Sequence, residues 1–329
     1  MVFRQWLCWQ RRLKLYDLAK VMVRGIHYSI EDDRNESILI CVNGELVPRN
    51  EAKISVFDSG YLVGDGVWEG LRLHKGVFVF LEDHLNRLLE GARMIFMDMG
   101  ETLESLEEKL KKAVDSNDMV DGVHVRLMVT RGNKKTPSQD PRLTVTSPNI
   151  VIIPEYKIAN TESKRSGVRL FTSAIRRGSP DYLDPRLNCH SKLHEVIALS
   201  QAIRAGADEA LMLDINGFVS TCNATNFFIV RNGEVWTSTG SYCMNGVTRS
   251  KVISICEKKG IVVRQKDFSL VDVYSADEAF VTGTFGGLTP VIEVDRQRLP
   301  CEAIPGEMTS RLSVLYNQEI DAYIERARQ

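Results

Sequence analysis

The chain has 329 residues, 43% of them hydrophobic and 26% charged, and its 42 basic and 43 acidic side chains leave it close to neutral. That is enough apolar material for cores in two domains, and the balance gives no reason to expect nucleic acid or an acidic membrane surface as a partner. Seven cysteines, scattered and without C-x-x-C spacing, point to free thiols in a reducing, cytoplasmic setting and to no metal site, and no apolar run approaches the roughly 18 residues of a membrane-spanning helix.

The opening MVFRQWLCWQRRLKLYDLAKVMVRG is basic and amphipathic. Arg11, Arg12 and Lys14 interrupt any secretory apolar core, and serine is absent from the stretch. An N-terminal extension over 1–37 is expected, with an organelle transit peptide as the alternative. From Ile38, ILICVNGELVP reads as a hairpin through Asn43-Gly44. A strand, a Gly-Asp-Gly turn, a second strand, the turn His74-Lys75-Gly76 and a helix holding His84 and Arg87 follow. ETLESLEEKLKKAVDSN predicts another helix, with Leu103, Leu106, Leu110 and Val114 on one face. In GVHVRLMVTRGN, strand alternation places His124, Arg126 and Met128 on one face and Val125 and Leu127 on the other. A polar loop over 133–149 leads to the strand IVIIPEY, which closes a small α/β domain over 38–156.

KIANTESKRSG, 157–167, is the candidate interdomain linker, and GVRLFTSAIRR opens a larger domain over 168–329. DPRLNCHSKLHEVIALSQAIRAG then predicts an extended segment and a helix whose apolar residues are Leu193, Val196, Ile197, Leu199 and Ile203, with Gly206 ending it. ALMLDINGFVSTCNATNFF predicts a hairpin with a type I′ turn at Asn216-Gly217. Farther on, Gly246-Val247-Thr248 opens a helix, where free backbone N–H groups and the positive helix end suit a phosphate. In SLVDVYSADEAFVTGTFGGLTPV, a helix carrying ADEAF is expected before a glycine turn at Thr282-Gly283-Thr284 and a strand. There is no internal repeat.

These segments, in this order over about 260 residues, resemble the class IV aminotransferases, the family that includes branched-chain and D-amino acid aminotransferases and aminodeoxychorismate lyase. The resemblance implies a small N-terminal α/β domain, a larger C-terminal pseudo-barrel domain, a homodimer, pyridoxal 5′-phosphate as cofactor and a small amino acid or keto acid as substrate. It implies that Arg87, Val247, Thr248 and Thr284 hold the cofactor phosphate and that Arg126 and Arg131 bind the substrate carboxylate. The bland alternatives are an exposed helical arginine for Arg87 and a structural ion pair for Arg126 or Arg131. Tyr61 and Trp68 read as pocket walls or core.

The same resemblance exposes two departures. Aligning helix to helix, Asn188 falls where the family carries the lysine that holds the cofactor as a Schiff base, and an amide cannot form that bond. Thr221 falls where the family carries a glutamate against the pyridine nitrogen, so a hydroxyl replaces a charge. Lys192, four residues on, is the nearest substitute for the lysine; otherwise it is a solvated helix residue. Cys189 and His190 border the segment and are more often structural than reactive. Three readings follow: an aminotransferase with atypical or impaired transamination, a non-catalytic or regulatory homologue that binds the cofactor or another phosphorylated ligand, or a lyase of the aminodeoxychorismate lyase type.

Overall fold

The computed structural model describes residues 31–159 and 161–329, Thr161 by its helical backbone alone. The basic amphipathic segment expected before residue 31 lies outside the described residues. Two sheets organise the chain. The first contains β1 (Leu39–Val42), β2 (Glu45–Pro48), β3 (Gly66–His74), β4 (Val77–Phe78), β5 (Val123–Thr130) and β6 (Asn149–Tyr156) in the order β2-β1-β6-β5-β3-β4. Asn43 and Gly44 both have positive φ, 53° and 87°, as the expected I′ hairpin requires, and Lys75 and Gly76 repeat that geometry at 51° and 76°. Strand alternation settles what each face does: Val123, Val125, Leu127 and Val129 of β5 point into the core, while His124 and Arg126 point away from it.

The strand expected before the Gly-Asp-Gly turn is instead helix α1 (Ser59–Val63), because the Asp58 side chain caps it by accepting from the amides of Gly60 and Tyr61; α2 (Leu81–Met94) and α3 (Leu103–Asp115) pack with this sheet. A reciprocal capping box between Thr102 and Ser105 starts α3. Its Leu106 and Leu110 are fully buried, each worth about 1.5–3 kcal/mol of apolar burial. The short helix α4 (Thr161–Ser166) lies between the sheets in sequence.

The second sheet comprises β7 (Val168–Thr172), β8 (Glu209–Leu213), β9 (Val219–Cys222), β10 (Asn226–Arg231), β11 (Glu234–Thr237), β12 (Val263–Gln265), β13 (Glu278–Gly283), β14 (Gly287–Val294) and β15 (Gln297–Arg298). Its order is β12-β11-β10-β13-β14-β7-β8-β9, with β15 on β14, and it forms the larger pseudo-barrel domain. Helices α5 (Leu193–Ala205), α6 (Val247–Lys258), α7 (Leu270–Tyr274) and α8 (Glu307–Ala327) accompany it. Among the described residues no helix is long and apolar enough to cross a membrane, and no cluster of His, Cys, Asp or Glu is arranged for a metal.

Two further local expectations are corrected. ADEAF is not helical: α7 ends at Tyr274 and the run continues as central strand β13, because Ala279, Phe280 and Val281 are buried between β10 and β14. The Asn216-Gly217 turn is not type I′, since only Gly217 has positive φ, at 87°. The Asp214 carboxylate accepts from the amides of Asn216 and Phe218 instead, and a register shift at Met212/Leu213 absorbs the longer loop. Helix α5 forms where its spacing predicts, but the apolar face is outward: Leu193, Val196, Ile197 and Ile203 are exposed, while Glu195, Ala198 and Ala202 are buried. Small alanines let the helix lie close on β7 and β8, with Ala198 and Ala202 against Ala210 and Met212.

Candidate active site

Between the sheets lies a cavity of about 360 Å³, large enough for a cofactor-sized ligand. Its walls come from β3 (Trp68, Gly70), β5 (His124, Arg126), α2 (Arg87), the extended segment and first turns of α5 (Asn188, Lys192, Glu195), the β9–β10 connection, the start of α6 and the β13–β14 turn.

The extended segment is held to the first sheet by backbone pairing. The amide of His190 donates to Gly66 O at 2.9 Å, that of Trp68 donates to Asn188 O at 3.0 Å, and the Trp68 indole donates to Cys189 O at 3.1 Å. These bonds leave the Asn188 side chain 6% exposed in the cavity wall, where Nδ2 donates to Trp68 O at 2.6 Å and Oδ1 is buried without a partner among the described residues. Cys189 and His190 do not line the cavity. Burial lowers the His190 pKa, and its ring bonds Val67 O at 3.2 Å, a structural role. Tyr61, expected as wall or core, is neither: it is 75% exposed on α1. Trp68 is a wall, and the Arg126 guanidinium stacks 3.8 Å above its ring.

One end of the cavity is built for an anion. Gly246 is the N-cap of α6 and supplies no side-chain acceptor, so the first-turn amides of Val247 and Thr248 are left for whatever fills the space. A Cβ at Gly246 would stand 2.3 Å from Asn226 Oδ1, so only glycine permits this approach of the helix end to β10. Thr284 occupies the β13–β14 turn beside it, and the Thr282 hydroxyl is buried there without a partner among the described residues.

Arg87 also lines the cavity, held by a residue that sequence reasoning missed. Glu69 sits at a core-facing position of β3 between Val67 and Leu71, and it is fully buried. It accepts from Arg87 Nε and Nη2 at 2.7 and 2.8 Å and pairs with His84 Nδ1 at 2.7 Å. Burial raises its pKa, but the charges and hydrogen bonds of Arg87 and His84 outweigh that and hold it at about 2. A charged residue on the apolar face of an alternating strand was the available signal. Arg87 Nη1 then reaches Asn245 O at 3.2 Å, tying α2 to the start of α6.

The two arginines expected at the substrate separate. Arg126 and Lys157 face the cavity, and among the described residues no carboxylate pairs with either. Burial lowers both pKa values, the Glu155 charge opposes that in each, and for Lys157 the Arg126 charge adds to the lowering. Two desolvated cations facing one space suit a carboxylate. Arg131 does not line the cavity: it forks onto Asp65 at 2.7 and 2.9 Å and donates to the carbonyls of Ile95 and Phe96, just beyond the end of α2.

Thr221, also in the cavity wall, is buried and its hydroxyl donates to Thr225 O at 2.7 Å, while Asn226 Nδ2 donates to it at 3.4 Å. Lys192 lines the cavity but is engaged: its Nζ lies 3.4 Å from Glu195 Oε1, which also accepts from Arg177 Nη1 at 2.8 Å. Burial raises the Glu195 pKa, and His194, Lys192 and Arg177 together outweigh it and bring it to about 2, so the carboxylate stays charged. Beneath the β9–β10 connection, Glu209 is fully buried, accepts from the Thr225 hydroxyl at 2.8 Å, and is pushed by burial up to about 8.

The cavity thus combines the free first-turn amides of α6 with two desolvated cations, Arg126 and Lys157, and its wall carries an amide at Asn188 and a hydroxyl at Thr221. The family model for class IV amino-transferases matches residues 66–294. Branched-chain-amino-acid aminotransferase-like protein 2 of Arabidopsis thaliana is 36% identical over 293 residues, covering 89% of this chain and 52% of its own, so the chain spans about half the length of that relative. The D-alanine aminotransferase of Listeria innocua is 32% identical over 284 residues, covering 85% of this chain and 96% of its own. Among solved structures, the branched-chain aminotransferase from the thermophilic archaeon Thermoproteus uzoniensis with norvaline superposes with a TM-score of 0.79 at 28% identity, covering 88% of this chain and 97% of its own.

Proposed function

Because the chain belongs to the class IV aminotransferases, we propose that its cavity binds pyridoxal 5′-phosphate or its amine counterpart through the phosphate and a small amino acid or keto acid through the carboxylate, with atypical or impaired transamination. The amides of Val247 and Thr248, with Thr284 and Arg87, hold the phosphate. Arg126 and Lys157 orient the carboxylate of a branched-chain or D-amino acid type substrate. The cofactor, when bound, supplies the electron sink. What this chain lacks is a base at the reacting carbon: Asn188 neither carries nor accepts the proton that a lysine moves, a role worth about 10² to 10⁴ in rate.

The observation that carries this reading is the Asn188 side chain, buried in the cavity wall with its nitrogen committed to Trp68 O. Lys192 is not a ready replacement, since its ammonium sits beside the charged Glu195. That pairing favours a second reading, a binding or regulatory protein with no turnover. The test is absorbance of the purified protein with added pyridoxal 5′-phosphate, before and after borohydride, followed by dialysis. Cofactor retained on dialysis but not fixed by borohydride supports the proposal; a reduced adduct on the peptide containing Lys192 would overturn it. Amino transfer above the uncatalysed rate separates enzyme from binding protein.

The assembly we propose is a homodimer, supported by the outward apolar face of α5. Sedimentation showing only a species of the 37.1 kDa chain mass at micromolar concentration would overturn it.

A further inference from the structure

We propose that Arg249, a buried guanidinium with no carboxylate partner among the described residues, is the charge that makes the anion end select a doubly charged phosphate over a singly charged group of the same shape. The inference rests on the cofactor reading above and deepens it.

Arg249 is the third residue of α6 and only 4% of it is exposed. Its Nη2 donates to Ser238 O at 2.7 Å and to Gln265 Oε1 at 3.1 Å, and its Nη1 donates to Asn245 Oδ1 at 3.3 Å. All three acceptors are neutral, and Nε is buried with no partner among the described residues. Burial lowers the Arg249 pKa, and what opposes that is the Cys243 thiol, itself buried, and no carboxylate. A guanidinium stays charged in a protein, and a buried charge is ordinarily matched by an opposite one. Among the described residues this one is not.

The charge stands behind the anion end. Val247, Thr248 and Arg249 are successive residues of the first turn of α6, each about 1.5 Å farther along the axis. Because Asn245 precedes the N-cap Gly246, the guanidinium that reaches it folds back to the level of the free amides of Val247 and Thr248. Gly240 makes room for this contact: its φ is 89°, and a Cβ there would stand 2.4 Å from Asn245 Oδ1. The Asn245 carbonyl also accepts from Arg87 Nη1 at 3.2 Å, so one residue carries both guanidinium groups. They differ in balance, since Arg87 is matched by Glu69 and Arg249 has no such counter-charge. Arg249 is not part of the cavity wall and acts on a ligand as a fixed field across the helix start. A unit charge about 8 Å away at an effective dielectric near 20 changes affinity by roughly tenfold or more for each charge on the ligand.

Isothermal titration of the cofactor-free protein at about pH 8 with pyridoxal 5′-phosphate and pyridoxal 5′-sulfate tests this. The two share ring, aldehyde and tetrahedral ester, but at that pH the phosphate carries about two negative charges and the sulfate one. The unaltered protein should bind the phosphate at least about tenfold more tightly. Arg249→Met should lower that preference by about tenfold, and Arg249→Lys, which keeps the charge, should retain most of it. A merely structural Arg249 would weaken the two esters alike in both variants and leave the preference unchanged, which overturns the proposal. Equal loss of the preference in Arg249→Lys and Arg249→Met also overturns it, by assigning the effect to the fork of hydrogen bonds. Equal affinities of the unaltered protein for the two esters overturn it with no variant at all, so a variant that fails to fold leaves the test decisive. Each of these results leaves the cofactor reading standing, whereas binding of neither ester overturns that reading and the selection with it.

Discussion

The two ends of the cavity differ in what they are made of. The anion end is built largely from backbone, the uncapped start of α6, the β13–β14 turn and a glycine that lets a helix end approach β10, with the Arg87 side chain added to it. The reacting end is made of single side chains at Asn188 and Thr221. A backbone site survives substitution as long as the fold survives, whereas chemistry resting on one amine or one carboxylate is lost in one change. Binding can therefore outlast catalysis in such a fold.

The largest expected effect restores the weak end. Asn188→Lys supplies an amine where the segment is already fixed by its bonds to Gly66 and Trp68. It should yield cofactor that borohydride fixes to the peptide containing position 188, identified by mass spectrometry. Amino transfer should rise by about 10² to 10⁴. Adding Thr221→Glu should raise it further by placing a charge at the ring nitrogen. Tight cofactor binding with no covalent link in Asn188→Lys would mean that the two ends are not aligned for one ligand.

Next in size is the coupling of the anion end to the fold through Glu69. Removing it leaves Arg87 and His84 buried around a lost charge. Glu69→Ala should cost about 3–5 kcal/mol in chemical denaturation and weaken phosphate binding as well. Unchanged stability would show that Arg87 finds another partner.

Legibility in the sequence divides along similar lines. The I′ turn at Asn43-Gly44, the turn at Lys75-Gly76, the alternation of β5 and the helix start at Val247 are local, and local rules predicted them. Glu69 with Arg87, and Arg177 with Glu195, meet only after the chain folds back, and no spacing rule links them. The apolar spacing of α5 correctly predicted a helix but not its orientation, because periodicity reports that a face is apolar and not what covers it. Arg131 shows the converse: two arginines close together on one strand and its end have opposite fates, set by whether Asp65 or the cavity lies nearest.

A pH experiment sharpens the comparison from beneath the reacting end. Glu209 has a folded pKa of about 8, raised by burial from an ordinary 4.5. The folded state thus binds more protons than the unfolded one between these values, so Glu209 makes stability fall as pH rises through that window. Glu209→Gln has no proton to lose. Its stability relative to the parent should be near parity at pH 5 and improve by roughly 2–4 kcal/mol toward pH 9, read from denaturation midpoints. Parallel pH profiles for the two proteins would show that Glu209 is ionised in the fold.

The smallest effect is expected at Thr248, and its smallness is the point. The Thr248 hydroxyl lies 3.3 Å from Tyr316 Oη and adds at most one donor to an anion end whose remaining donors include the backbone amides of Val247 and Thr248. Thr248→Val keeps the branched shape and both amides, so the loss should be one neutral hydrogen bond, about 1 kcal/mol or roughly fivefold in affinity. Competition of inorganic phosphate against bound pyridoxamine 5′-phosphate measures it directly. A loss of a hundredfold or more would place the binding energy in a side chain after all, and the contrast between a backbone-built end and a side-chain-built end would fail.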